Sequence, residues 1–184
     1  EIRKRAKCVS KQCTEKSPCT NPFARTVHVA NTYLIEVPFG ASLRELLFNR
    51  GVGITDVRGK PMPDGVKAVQ IGGPSGGCLT VEHLDLPVDF DSLKDKGAMV
   101  GSGGLVVMNK TTCMVSVARF FMQFTQNESC GKCVLCREGT RQMLSMLDDI
   151  MRGDADESTL VNLEKLARAV AKASLCGPVS YTHL

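Results

Sequence analysis

No run of about 18 apolar residues occurs in the 184-residue chain, so nothing in it reads as a membrane-spanning helix. The opening EIRKRAKCVS lacks the apolar core of a signal peptide, and no initiator methionine precedes it. The chain therefore reads as a cytoplasmic piece of something longer. Histidine is scarce: His28, His83 and His183 lie far from the clustered cysteines described below, which leaves imidazole out of any local ligand set. A phosphate-binding fingerprint is also lacking. Gly72-Gly-Pro-Ser-Gly-Gly77 follows a strand-like run, but it has neither the Gly-Lys-Ser/Thr ending of a P-loop nor the spacing of a dinucleotide fingerprint. It reads as a structural turn, and so does Gly101-Ser-Gly-Gly104.

The formal charge of +4 is not spread over the chain. Residues 1–16 hold six Lys or Arg against Glu1 and Glu15, and the remaining 168 residues carry 17 of each sign. A basic footprint over the folded part is thus missing, which argues against nucleic acid as a partner.

What the chain does have is an ordinary hydrophobic content of 43% and nine cysteines. That length suits one domain or two small ones. Residues 1–22 are polar and lysine-rich, and little order is expected there. Thr26–Val29 and Tyr33–Val37 read as a hairpin turning at Asn31-Thr32. Ser42 caps a helix with Leu43, Leu46 and Leu47 at helical spacing and Gly51 as its stop. Val66–Ile71 is a further strand. Two strands, a helix across them and more strands is the order of a small β-grasp sheet.

From about Leu105 the period turns helical. Thr112 caps a helix expected to bury Met114, Val117, Phe120, Phe121 and Phe124. A second, Arg137–Arg152, would bury Met143, Leu144, Leu147, Ile150 and Met151 and stop at Gly153. A third, after residues 154–158, carries Leu160, Leu163, Leu166 and Val170 at spacings of three and four. The fold class is α+β: a small β-grasp domain followed by an α-helical bundle.

Glu128-Ser-Cys-Gly-Lys-Cys-Val-Leu-Cys136 places three thiols at intervals of three on the connection between the first two bundle helices. Three thiols cannot all pair as disulfides, and so must converge on something else. Cys176, with 39 residues between it and Cys136, stands at the end of the third helix. C-x2-C-x2-C plus one remote cysteine suits a [4Fe–4S] cube, which takes one thiolate per iron. Zinc is the competitor, in a stabilised binding or scaffolding module without redox role. Structural zinc, however, usually takes two separate C-x2-4-C knuckles, or cysteines with histidines. The second and third helices, each of about 16 residues and so roughly 24 Å long, can run out from the cysteine turn and return Cys176 to it. Gly131 permits the tight turn, and Lys132, Arg137 and Arg141 place positive charge nearby. Cys78 and Cys113, in apolar surroundings, are expected to be buried small hydrophobes.

ESCGKCVLCREGT, with FFMQFTQ before it and SLCG after it, resembles the flavin-bearing NADH-oxidising subunit of respiratory complex I and its relatives among NAD(P)-linked hydrogenases and formate dehydrogenases. GGPSGGCL, VDFDSL and GSGGLVVM are similar to the same family, and the resemblance runs from about Thr14 to Gly177. It implies a poorly ordered linker over 1–22, a β-grasp "soluble-ligand-binding" domain over 23–104, a [4Fe–4S]-binding helical bundle over 105–177 and an atypical tail over 178–184. It also implies that Cys130, Cys133, Cys136 and Cys176 ligate one [4Fe–4S] cluster. FMN and NAD(P)H would belong to a preceding domain missing from this chain. The implied partners are the other subunits of a multi-subunit redox complex, including a thioredoxin-like subunit with a 2Fe–2S cluster. The implied location is cytoplasmic, or peripheral on the cytoplasmic side of a membrane complex. Cys8, Cys13 and Cys19, spaced C-x4-C-x5-C where the family tends to have tryptophan or glycine, read as non-ligands. A cobalamin-like ligand for the sheet domain finds no ligand set in residues 23–86.

Overall fold

The computed structural model describes residues 20–27, 29, 33–38, 40–49, 53–56, 58–62 and 64–175. The chain divides into two compact units, Glu1–Thr111 and Thr112–Leu184. Among the described residues no helix is long and apolar enough to cross a membrane.

The first unit is built on five strands: β1 (Thr20–Val27), β2 (Tyr33–Pro38), β3 (Val66–Ile71), β4 (Gly77–Thr80) and β5 (Gly104–Asn109). Their order across the sheet is β2-β1-β5-β3-β4, mixed, with β1 and β5 parallel and the other pairs antiparallel. After the first hairpin the chain forms a short helix whose Glu45–Asn49 portion is a π-turn, entered through a hydrogen bond from Glu45 N–H to Ser42 Oγ (3.1 Å). Leu43, Leu46 and Leu47 are fully buried and share one core with Phe23, Val37, Val69, Ile71, Leu105 and Val107 of the strands. This is the β-grasp arrangement expected of an α+β chain. A small helix, α1 (Phe90–Asp95), is capped by Asp89, whose Oδ1 accepts the Ser92 N–H at 2.7 Å.

Two boundaries differ from expectation. β1 starts at Thr20, so Thr20–Pro22 belong to the sheet and not to a linker. Pro22 is tolerated because this half of β1 pairs only with β2, the pairing with β5 running from Ala24 to Val27. The helical unit starts at Thr112 and not at 105, because Gly104–Asn109 is a sheet strand between β1 and β3. Its unbroken apolar run, Leu105–Met108, carries none of the apolar–polar alternation in sequence that marks a half-exposed strand. The Asn31-Thr32 turn, the Gly51 stop, His28 and residues 1–19 lie outside the described residues.

The glycine runs are structural, as expected. Gln70 Nε2 donates to Gly73 O (2.7 Å), Gly72 N–H donates to Gly104 O (3.1 Å), and a Cβ on Gly101 would lie 2.9 Å from Gly72 Cα. The two loops pack against each other.

The second unit holds α2 (Met114–Asn127), α3 (Val134–Arg152) and α4 (Glu157–Ala173). Its core is Met122, Cys136, Met143, Leu147 and Val170, lined by half-buried Val115, Ala118, Cys133, Leu163 and Leu166. The buried stripe of α2 is therefore Val115, Ala118, Met122 and Thr125, not the aromatic face. Phe120 and Phe124 are 68% and 45% exposed. Both stripes have helical spacing, and α2 turns its smaller side chains inward. Met151 and Leu160 are likewise exposed, each at the outer margin of its helix stripe.

Asp156 caps α4 in a reciprocal box. Its Oδ1 accepts from Ser158 Oγ (2.7 Å), Thr159 N–H (2.9 Å) and Thr159 Oγ1 (2.9 Å). These bonds, the one from Ser158 foremost, hold its carboxyl below the usual range. A depressed carboxyl stabilises the fold above the unfolded pKa of about 3.9, and the contribution fades as pH falls through the folded value. Asp156→Ala should therefore melt earlier than the parent at neutral pH, with the gap narrowing below about pH 4. Thermal melts across pH 2–7 (roughly the carboxyl range) check this; a gap that is constant with pH would refute it.

Candidate metal centre

The cysteine turn begins where α2 ends. Glu128 N–H donates to Phe124 O (3.0 Å) and Ser129 N–H to Gln126 O (3.3 Å), which closes the helix. Gly131 then adopts φ 75°, a left-handed conformation that strains residues bearing a Cβ. Arg137, on the first turn of α3, reaches back through Nη1 to Gly131 O (2.6 Å) and clamps the reversal. Its Nε pairs with Glu138 Oε1 (3.0 Å), so a carboxylate offsets part of the positive charge expected beside the thiols.

α3 starts at Val134, three residues earlier than expected. Cys133 is its N-cap, with extended backbone, and its carbonyl accepts the Arg137 N–H (3.0 Å). Cys136 consequently lies in the first helical turn, only 5% exposed, in the core of the unit. Cys130 is exposed in the turn and Cys133 is half-buried. The start of α3, with its unpaired N–H groups, presents partial positive charge to this region and suits an anionic group. Two hydroxyls engage the buried cysteine: Ser129 Oγ lies 3.2 Å from Cys136 Sγ, and Thr140 Oγ1 donates to Cys136 O at 2.6 Å.

The opposite wall is set by α4. A Cβ on Gly139, one turn beyond Cys136, would overlap Val170 Cγ2 and stand 3.6 Å from Leu166 Cδ1. The C-terminal end of α4 therefore rests against the N-terminal end of α3. Ser174, the buried C-cap of α4, donates through Oγ to Val170 O (2.6 Å). Cys176, two residues further, lies outside the described residues, as do Cys8, Cys13 and Cys19.

Cys130, Cys133 and Cys136 are all free thiols. Among the described residues, no three His, Cys, Asp or Glu side chains gather into a group that could hold one metal ion. The donors in this turn are soft sulfurs from a single reversal, one buried and one at a helix cap, a chemistry that would suit an iron–sulfur cluster.

Cys78 and Cys113 are exposed, contrary to expectation. Cys78 is on the outward-facing positions of β4, alternating with buried Gly77 and Leu79, and Cys113 is the N-cap preceding α2. Although Cys78 is exposed, nearby atoms desolvate its sulfur enough to push the thiol pKa up, which keeps it protonated. Sequence reasoning missed Ser129 and Gly139. For Gly139 a signal existed: an isolated glycine inside a helical pattern usually has a packing reason. For Ser129 none did, since its partner lies seven residues away across a turn.

Residues 116–182 match the model of NADH-ubiquinone oxidoreductase-F iron–sulfur binding regions. It is 44% identical over 164 residues to the NADP-reducing hydrogenase subunit HndC of Solidesulfovibrio fructosivorans, covering 89% of this chain and 32% of that one. It is 36% identical over 163 residues to a subunit of the NADH-quinone oxidoreductase of Rhizobium meliloti, covering 88% and 37%. The chain thus spans about a third of the length of the curated relatives it matches. A crystal structure of an NAD+-reducing [NiFe]-hydrogenase in the H2-reduced state superposes with a TM-score of 0.74 at 28% identity, covering 92% of this chain and 27% of that one.

Proposed function

We propose that the chain is the electron-transfer portion of an NADH- or NADPH-dependent dehydrogenase or hydrogenase flavoprotein subunit. In this reading Cys130, Cys133, Cys136 and Cys176 hold one [4Fe–4S] cluster. When bound, it supplies a one-electron carrier between FMN, held with NAD(P)H in a preceding domain, and the clusters of partner subunits, one of them thioredoxin-like with a 2Fe–2S centre. The domain plan is a β-grasp domain ahead of the cluster-binding bundle, and the location cytoplasmic.

One observation carries the reading: the matched iron–sulfur region, 116–182, encloses all four cysteines and the helices that present them. The chain's own residues supply an ordered holder. Gly131 and Arg137 set the turn, the α3 start offers partial positive charge that suits an anionic group, and the α3–α4 contact puts the last turns of α4 beside the first turns of α3. Phe120 and Phe124, large and exposed on α2, suit a chain that works within a multi-subunit assembly.

The test is anaerobic reconstitution of the chain with iron and sulfide, followed by metal and sulfide counting and dithionite titration. About four irons per chain and a visible absorption band that bleaches on reduction are expected. Bound zinc without reducible colour would overturn the reading and favour a scaffolding module.

A further inference from the structure

A cube held by four thiolates is anionic, and hydrogen bonds to its sulfurs stabilise the added electron of the reduced form. One such bond is already formed within the chain. Ser129 Oγ lies 3.2 Å from Cys136 Sγ, and the same oxygen accepts the Gly131 N–H at 3.3 Å. One lone pair of the hydroxyl is therefore engaged, and its proton has the sulfur within reach. A cysteine that ligates iron is a thiolate and can only accept, which fixes Ser129 as the donor.

We infer that Ser129 is a positioning residue that raises the cluster's reduction potential through the Cys136 sulfur. The inference rests on Cys136 being an iron ligand. The serine cannot easily turn away. Its own N–H is tied to Gln126 O at the end of α2 (3.3 Å), and Arg137, the neighbour of Cys136, holds Gly131 by its carbonyl (2.6 Å). Arg137, Gly131, Ser129 and Cys136 thereby close a ring of contacts around the turn. Cys136 is 5% exposed, so solvent has little access to replace a lost bond to its sulfur. In such low-dielectric surroundings a single hydrogen bond carries more electrostatic weight than in water.

The experiment compares the reconstituted chain with Ser129→Ala, Ser129→Thr and Ser129→Val, reading iron content and the midpoint potential by paramagnetic resonance at poised potentials. Ser129→Ala should keep four irons (as one cube requires) and shift the midpoint to more negative potential. Thr, which keeps the hydroxyl, should stay near the parent, while Val, of the same shape without it, should follow Ala. An unchanged midpoint in Ala, or equal midpoints in Thr and Val, overturns the inference. Loss of iron in both Ala and Val but not in Thr makes the hydroxyl a requirement for assembly, which also overturns a tuning role. Failure of the parent chain to take up four-iron clusters sinks the ligand assignment itself, and the parent iron count tells that case apart.

Discussion

Gly139→Ala is expected to lower the melting temperature of the helical unit, although alanine usually stabilises a helix interior over glycine by about 1 kcal/mol. The new methyl would overlap Val170 Cγ2 and lie 3.6 Å from Leu166 Cδ1. Val170 is 2% exposed and β-branched, so one rotamer dominates in its helix and the methyl cannot swing aside. Overpacking of this kind costs roughly 1–3 kcal/mol, which exceeds the propensity gain over most of that range. For a unit of this size each kcal/mol moves the midpoint by about 4–8 °C. Val170→Ala alone should also destabilise, by leaving a cavity. The double variant should lose less than the sum of the two, since the new methyl occupies space the valine vacates. Thermal melts of the four proteins check the cycle. A Gly139→Ala chain that melts at or above the parent would show that α3 and α4 do not meet as closely as described.

The same contact marks where sequence and structure part company. Periodicity located three helices and Gly153 as the stop of α3, because a helix buries one stripe and its end demands a left-handed residue. It could not choose between two stripes on α2. Phe120 and Phe124 are the more hydrophobic pair, yet the helix buries Ala118, Met122 and Thr125. The choice depends on which side chains fit the facing helices, a tertiary property. β5 was hidden for the opposite reason. Its Leu105–Met108 run has no period to read, and its place between β1 and β3 follows only from long-range pairing. Val66–Ile71 was legible to the residue, being a β-branched run followed by a glycine turn. At the cysteine turn, spacing revealed the thiols and the need for Gly131, while the start of α3 was placed three residues late. Val134 and Leu135 offered no capping signal, because Cys133 caps the helix without a side-chain hydrogen bond.

Cys176→Ser should reduce reconstituted iron from about four to about three or fewer per chain, and should make the helical unit melt earlier. α3, of 19 residues, rises about 28 Å from the cysteine turn, and α4, of 17, returns about 26 Å. The register of the return is set by Gly139 against Val170. Ser174 is buried and holds the last turn of α4 through Val170 O. Two residues beyond Ser174 can span at most about 7 Å, which is the reach the proposed fourth ligand would have from this end of the bundle. A cluster at that place would tie the α2–α3 turn to the end of α4 and so resist unfolding as a bound ligand does. Controls lie in the same chain. Cys78→Ala and Cys113→Ala alter exposed thiols that are not part of the turn, and Cys13→Ser alters one read as a non-ligand; all three should keep full iron. Iron counting, the spectrum of the reduced state and melting of each variant decide the matter. A Cys176→Ser chain with four stable irons and unchanged melting would move the fourth ligand elsewhere, whereas loss of roughly one iron in four from the Cys78 or Cys113 variant would point to where it went.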